Sequence, residues 1–457
     1  MVKTACAVLL LEFAAALPSL AQITLEQAVN DAASRYPAVQ VSQERVSAAA
    51  AGINLARAGY LPHADFLGQI NRATHNNVFG LMLPQPLPVI SSISGPVLRT
   101  NSLDSVWGTA VGGLVSWEPF DFGLRRANIE VAESGRRRAQ TEVGVTRLQV
   151  AAATADTFLT ILAAQQTVVA AKAGVERARV LDQVVQTLVK NELRPGAEAS
   201  RTRAELALAE TQVIRAEQSV EEARAALAQL LGVPPAQVSV QSGNLLQTPP
   251  ETGAAPAGVE THPLAVAQTA AIDEVKAREK ALDRSLYPRF TLEGTLYARG
   301  TGVQPDGSTG NAASGLGPNT QNWGLGMSVT FPLFERYSIR VRKEIEQANE
   351  RTESARYQQI RREIEGRIEK AKATLAGARR VADNTPVLLA SARTGEQQAA
   401  ARYKAGLGTI VEVAEAQRLL SQAEIDDALA RLGIWRAMLA LAAAQGDLTG
   451  YLQTAGK

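Results

Sequence analysis

The stretch "NWGLGMSVTF", residues 322–331, reads as one β-strand with two unlike faces. Trp323, Leu325, Met327, Val329 and Phe331 fall on one side, Gly324, Gly326, Ser328 and Thr330 on the other. Side chains alternate along a strand, so one face is apolar and the other small or polar. Three more stretches share this pattern. In "PHADFLGQIN" (62–71), Ala64, Phe66, Gly68 and Ile70 oppose His63, Asp65, Gln69 and Asn71. In "RFTLEGTLYAR" (289–299), Phe290, Leu292 and Leu296 oppose Thr291, Glu293 and Thr295. In "VWGTAVGGLVSW" (106–117), Trp107, Val111, Val115 and Trp117 share a face. Runs of about ten residues with aromatics near their ends suit transmembrane β-strands that turn their apolar side to lipid. A soluble hairpin with one buried face shows the same alternation. Trp107, Trp117, Trp323 and Phe331 are the candidate membrane-belt aromatics, with core packing as the alternative.

Four strands cannot close a barrel. An open sheet in lipid leaves edge N–H and C=O groups unpaired, each costing several kcal/mol. Strands of this kind therefore need neighbours, and three copies of the chain would supply twelve. The segments 76–104 and 301–321, rich in Pro, Gly, Asn and Ser, would be the outward loops.

The strands sit within a duplication. "YPAVQVSQERVSAAAAGINLARAGYLP" (36–62) and "HPLAVAQTAAIDEVKAREKALDRSLYP" (262–288) are helical runs that open and close at proline. Each leads into two β-like stretches and a corner, "EPFDFG" (118–123) or "FPLFER" (331–336). Each then enters a long helix, a break and a second long helix. The period is about 215–225 residues, so this is a doubled unit rather than a short solenoid repeat.

The expected organisation is a signal peptide at 1–21, a first repeat at 22–232, a linker at 233–260, a second repeat at 261–446 and a tail at 447–457. In the first repeat a hairpin occupies about 61–117, a long helix about 122–191, a tip about 192–199 and a helix 200–231. In the second, a helix at 263–286 precedes a hairpin at about 287–332, a long helix at about 335–404, a tip at 405–409 and a helix at 410–445. A helix of about 65 residues reaches roughly 100 Å. Leu148, Ala151, Ala155, Phe158 and Leu162 follow a 3-4 spacing, as do Ile425, Ala428, Leu432, Trp435, Leu439 and Ala442. That is the seam of a coiled coil. Asn384 and Pro386 predict a kink in the second long helix. Five prolines mark 233–260 as the linker.

Bulk composition removes several classes. The 457 residues carry a net charge of +2, so no strong field toward nucleic acid is implied. Lys3, the apolar run Ala5–Ala16 and Ser19-Leu20-Ala21 have the form of a secretory signal. No other run is apolar enough to predict a membrane-spanning helix. Cys6 is the sole cysteine and His63, His75 and His262 are scattered, which excludes a disulfide framework and a Cys/His metal site. Arg136, Arg137, Arg138, Arg361 and Arg362 lie among glutamates and read as solvated or inter-helix pairs. No catalytic constellation, P-loop or cofactor motif is present, so neither an enzyme nor a cofactor is expected.

One more stretch stands out. "YKAGLGTIVEVAEAQ" (403–417) breaks a helical pattern at Gly406 and Gly408, then places Glu412 and Glu415 three residues apart on one helix face. On spacing alone this is an ordinary solvated face.

Together these features resemble the TolC family of outer-membrane efflux channels. The resemblance spans the mature chain: "ITLEQAVNDAASRYP" (23–37), the proline-marked strand starts, the Pro-Leu-Phe corner and "ARYKAGLGTIVEVAEAQ" (401–417), in that order. It implies a mostly α-helical homotrimer with a twelve-stranded β-barrel in the outer membrane, four strands per chain. Below it a trimeric α-barrel of long coiled-coil helices would cross the periplasm. The implied partners are outer-membrane lipid, a periplasmic adaptor (membrane fusion protein) and an inner-membrane transporter, with no nucleic acid. The implied function is a passive export duct of a tripartite efflux or type I secretion system. A periplasmic coiled-coil structural or adaptor protein without a pore is the alternative.

By the same resemblance, Gly406, Leu407 and Gly408 form the second tip, with Thr409 capping the next helix. Glu412 and Glu415 take the places of two aspartates that line the family's narrowest point, where rings of like charge favour cations. The first tip is "KNELRPGAEASRTRAE" (190–205), and Arg194, Pro195, Gly196 and Tyr403 join the tip residues expected to meet the adaptor. Matching Ala204 to Ala416 sets Ser200 opposite Glu412 and Arg194 opposite Gly406. Family members often tie an acid near Ser200 to an aromatic and an arginine. Tyr403 is the aromatic, but Gly408 stands where the arginine can be. That network is thus not preserved in the usual form, and Arg194 or Arg201 are the candidate substitutes.

Overall fold

A computed structural model of the chain describes residues 22–76, 103–250 and 258–456. The signal-peptide segment and most of the first outward loop lie outside the described residues. The described chain forms eight α-helices and four strands: α1 (Leu25–Arg35), α2 (Pro37–Ala58), β1 (His63–Thr74), β2 (Ser105–Phe120), α3 (Leu124–Lys190), α4 (Gly196–Leu231), α5 (Pro263–Arg284), β3 (Arg289–Thr301), β4 (Thr320–Thr330), α6 (Glu335–Lys404), α7 (Ile410–Gln445) and α8 (Thr449–Ala455). They divide into two compact units. One holds the described residues within 46–138 and 270–354; the other holds those within 22–45, 139–269 and 355–456.

The first of these units carries the sheet. Its strands run in the order β1-β2-β3-β4, each pair antiparallel, leaving β1 and β4 as edges with no strand partner among the described residues. The register merges the four apolar faces into one. Ala64 pairs with Val115 and Phe66 with Gly113; Trp117 pairs with Leu292; Leu292 pairs with Met327 and Leu296 with Trp323. This face is bare: Phe66, Leu296, Trp323 and Leu325 are 82%, 69%, 80% and 71% exposed. Trp117 and Phe331 are also exposed, and Trp107 lies under the guanidinium of Arg72, 5.3 Å away. The opposite face carries Asp65, Gln69, Ser116, Thr291, Glu293, Thr295 and Ser328. Gly112 on that face permits close packing, since a Cβ there would collide with the Cβ of Tyr297.

Where the sheet meets the helices, the chain turns through Phe122 and Gly123, both with positive φ. Asp121 fixes the turn. Its carboxylate accepts from the backbone N–H groups of Gly123 (3.1 Å) and Arg125 (2.7 Å) and from Arg125 Nε (2.9 Å). Phe120, Phe122, Tyr287 and Phe290 cluster beside it.

The other unit is helical. α1 begins with a capping box, Thr24 with Gln27. The expected seam on α3 is buried, with Ala155, Phe158 and Leu162 at 1% exposure or less. On α7 the row Leu432, Trp435, Leu439, Ala442 is buried. These residues share a core with α1, α4 and α8.

Three details add to or correct the sequence reading. Residues 233–250, the described part of the expected linker before residue 251, are packed onto the helices. Val238, Val240 and Leu245 enter the core, Val240 bridges Ile23 as a short parallel pairing, and Trp435 Nε1 donates to the Gln247 carbonyl at 2.9 Å. The prolines there stop helices without preventing burial. Next, α6 continues as a helix through Pro386. Finally, α3 does contain a window long and apolar enough, by length and composition, to cross a membrane. Its alanines raise the apolar content, and Phe158, Leu159, Ile161 and Leu162 pack into the helical core.

Candidate functional site

Two turns in the helical unit share one geometry. After α3, Glu192 has φ 58° and the Leu193 N–H donates to the Leu188 carbonyl at 2.9 Å. After α6, Gly406 has φ 74° and the Leu407 N–H donates to the Arg402 carbonyl at 2.9 Å. Each is a helix end closed by a left-handed residue, for which glycine is better suited than glutamate. Pro195 then caps α4 and Thr409 caps α7. This geometry pairs Glu192 with Gly406, Leu193 with Leu407, Pro195 with Thr409 and Glu198 with Glu412 at one constant offset. The match built on Ala204 and Ala416 was two residues off, because only the turns fix the register. Arg194 is the counterpart of Gly408, not of Gly406.

That shift brings an acid, an aromatic and an arginine together. Tyr403 is buried, at 3% exposure, among Val185, Ala199, Ile410 and Val413. Its hydroxyl donates to Glu198 Oε2 at 2.7 Å. The guanidinium of Arg194 lies 4.8 Å over its ring and 3.9 Å from Glu198. An acid, an aromatic and an arginine thus do meet, with the arginine supplied by the first turn. Burial, then the bond to Glu198, pushes the phenol up to about 12. Of the two candidate arginines, Arg194 is the one that meets the pair. Sequence reading missed Glu198 because the count was centred on Ser200.

Glu412 and Glu415 both lie exposed on α7, one helical step apart. Thr409 Oγ1 accepts from the Glu412 N–H at 3.3 Å, so Glu412 sits in the first turn, where the helix dipole favours a carboxylate. Arg402 Nε lies 3.9 Å from Glu412, and its Nη2 donates to the Leu407 carbonyl at 3.1 Å. Arg402 was not singled out from the sequence. Leu193 and Leu407 protrude from the two turns, 67% and 72% exposed. Pro195 and Gly196 complete the first turn, and Gly408 packs beside Arg402.

The profile of the "outer membrane efflux protein" family matches residues 28–233 and 260–447, one stretch for each half of the duplication. The chain belongs to this family. Among curated relatives, the cobalt-zinc-cadmium resistance protein CzcC of Cupriavidus metallidurans is 25% identical over 338 residues, covering 73% of this chain and 76% of CzcC. Among solved structures, the outer-membrane channel OprN superposes with a TM-score of 0.71 at 20% identity, covering 94% of this efflux protein and 90% of OprN. The Campylobacter jejuni CmeC outer membrane channel gives 0.70 at 18%, covering 92% and 85%. These likenesses carry the fold, a mostly helical chain with a four-stranded sheet, and the family places it in the outer membrane. OprN and CmeC are outer-membrane channels.

Proposed function

We infer that three copies of this efflux protein join β1 to β4 of the next copy and close a twelve-stranded barrel. One observation carries this reading: a four-stranded sheet with two open edges and one continuous exposed apolar face. Lipid suits that face, and only neighbouring strands can satisfy those edges. The helical parts then form a passive duct through the periplasm, joined to a periplasmic adaptor and an inner-membrane pump that supplies the energy. The protruding Leu193 and Leu407 turns are the adaptor contacts. Glu412 and Glu415 form stacked carboxylate rings at the constriction, and Glu198, Tyr403 and Arg194 hold its tip shut. The carboxylates favour cations, and the likeness to a metal-resistance protein supports metal cations among the cargo.

The test is light scattering on the detergent-purified protein together with planar bilayer recording. A trimer with discrete, cation-preferring conductance is expected. A monomer inert in bilayers would overturn the duct and favour a pore-less periplasmic role.

A further inference from the structure

Pro386 lies on the exposed side of α6, with helix on both sides of it. Proline has no amide hydrogen, so the Ala382 carbonyl loses its usual donor and α6 gives up a rung there. The preceding Thr385 is buried. Its hydroxyl lies 3.2 Å from Asp427 Oδ1 on α7 and 3.5 Å from the Ala382 carbonyl. A hydroxyl has one hydrogen, so it serves either the neighbouring helix or the orphaned carbonyl. Asp427 is itself buried, and its other oxygen accepts from Arg431 at 2.7 Å.

Close by, α7 is also pinned to α3. Arg177 donates to Glu424 through both terminal nitrogens, at 3.2 and 2.8 Å, and to Ser421 at 2.9 Å. The helices are tight here, since a Cβ on Gly174 would lie 3.0 Å from Ser421 Oγ. Residues 421–427 of α7 are therefore clamped to both neighbours at the level where the α6 ladder is interrupted. Nearer the turn, the second hairpin rests on apolar contacts, Leu389, Ala392 and Leu420 among them, and on the Glu198–Tyr403–Arg194 group. Apolar contact is non-directional and permits sliding. Here the polar link between the end of the hairpin and the α3–α4 turn is this group, through the Tyr403 phenol and through Arg194 Nη2, which donates to the Tyr403 carbonyl at 3.4 Å.

We propose that Pro386, with Thr385 and Asp427, is the hinge on which the end of the α6–α7 hairpin moves away from the α3–α4 turn. The Arg177–Glu424 pair is its fulcrum. This rests on the reading of the tip as a gate.

The experiment measures the motion within one chain, independently of conduction. Nitroxides on Lys190→Cys and Lys404→Cys, in a Cys6→Ser background, report the distance between the two turns. Unlabelled chains are added in excess so that pairs are intramolecular. Tyr403→Phe is expected to broaden the distance distribution at least twofold, and adding Pro386→Ala should return it to the parental width. Equal widths with and without Pro386→Ala in the Tyr403→Phe chain overturn the hinge. Bilayer conductance of the same preparations reports separately on the duct, so a sound hinge in a chain that forms no pore remains visible as such.

Discussion

The Tyr403 hydroxyl sits 2.7 Å from Glu198, a residue of the other half of the duplicated chain. This bond, with Arg194 stacked on the same ring and donating to the Tyr403 carbonyl at 3.4 Å, ties the two turns together. Tyr403→Phe keeps the packing but leaves Glu198 without its donor. A net loss of about 1 kcal/mol is expected for such a bond. In bilayers the variant should show larger or longer openings than the parent, and unchanged traces would remove the lock.

The same bond has a pH signature. The folded phenol is raised from 10.0 to about 12, so the protonated form is the one the fold favours. Its stabilisation is complete below pH 10 and disappears as pH rises toward 12. Burial also pushes the Tyr451 phenol up, so tyrosinate absorbance should show two late-titrating phenols in the parent and one fewer in Tyr403→Phe. A Tyr403 that ionises with the exposed tyrosines would contradict the buried bond.

Glu412→Gln with Glu415→Gln should lower cation over anion permeability several-fold, read from reversal potentials in asymmetric salt. Arg402 lies near Glu412 and offsets part of its charge. Arg402→Gln should therefore shift selectivity in the opposite direction. If neither change moves the reversal potential, these carboxylates do not line the path.

Two glycines allow a graded test of backbone requirement. Gly406→Ala places a Cβ at φ 74° with open space around it, which costs about 1–2 kcal/mol. Gly446→Ala adds a collision, because its Cβ would lie 2.8 Å from both His262 Cδ2 and Pro263 Cδ. Thermal unfolding should rank Gly446→Ala as the more damaging change.

His262 links stability to acid. The Leu264 N–H donates to its Nδ1 at 3.1 Å, which requires an unprotonated nitrogen. Burial holds the imidazole below its ordinary 6.5; a bond to Ala443 opposes this and Arg367 adds to it. The folded pKa is depressed, so this stabilisation is full above pH 6.5 and is lost as pH falls through the lowered value. Melting temperature should drop with acid in the parent and less steeply in His262→Asn.

The strands were legible because alternation with period two survives even where Gly replaces a bulky residue, as at Gly68 opposite Val111. The long helices were legible from their seams, since Phe158 and Trp435 recur at core spacing. Contacts between halves were not. Glu198 and Tyr403 are 205 residues apart, Arg177 and Glu424 247 apart, and no local pattern marks either pair. Arg194 was recognised as a candidate, but its partner emerged only when the turns set the register. The buried Val238, Val240 and Leu245 were hidden by prolines that advertise a loop.

The bare rims of β1 and β4 carry a consequence for biogenesis. A lone newly exported subunit has no way to enter the hydrocarbon without stranding its rim amides there. Insertion should therefore wait for companions, so that the bilayer itself admits only complete rings and leaves stray copies on the aqueous side.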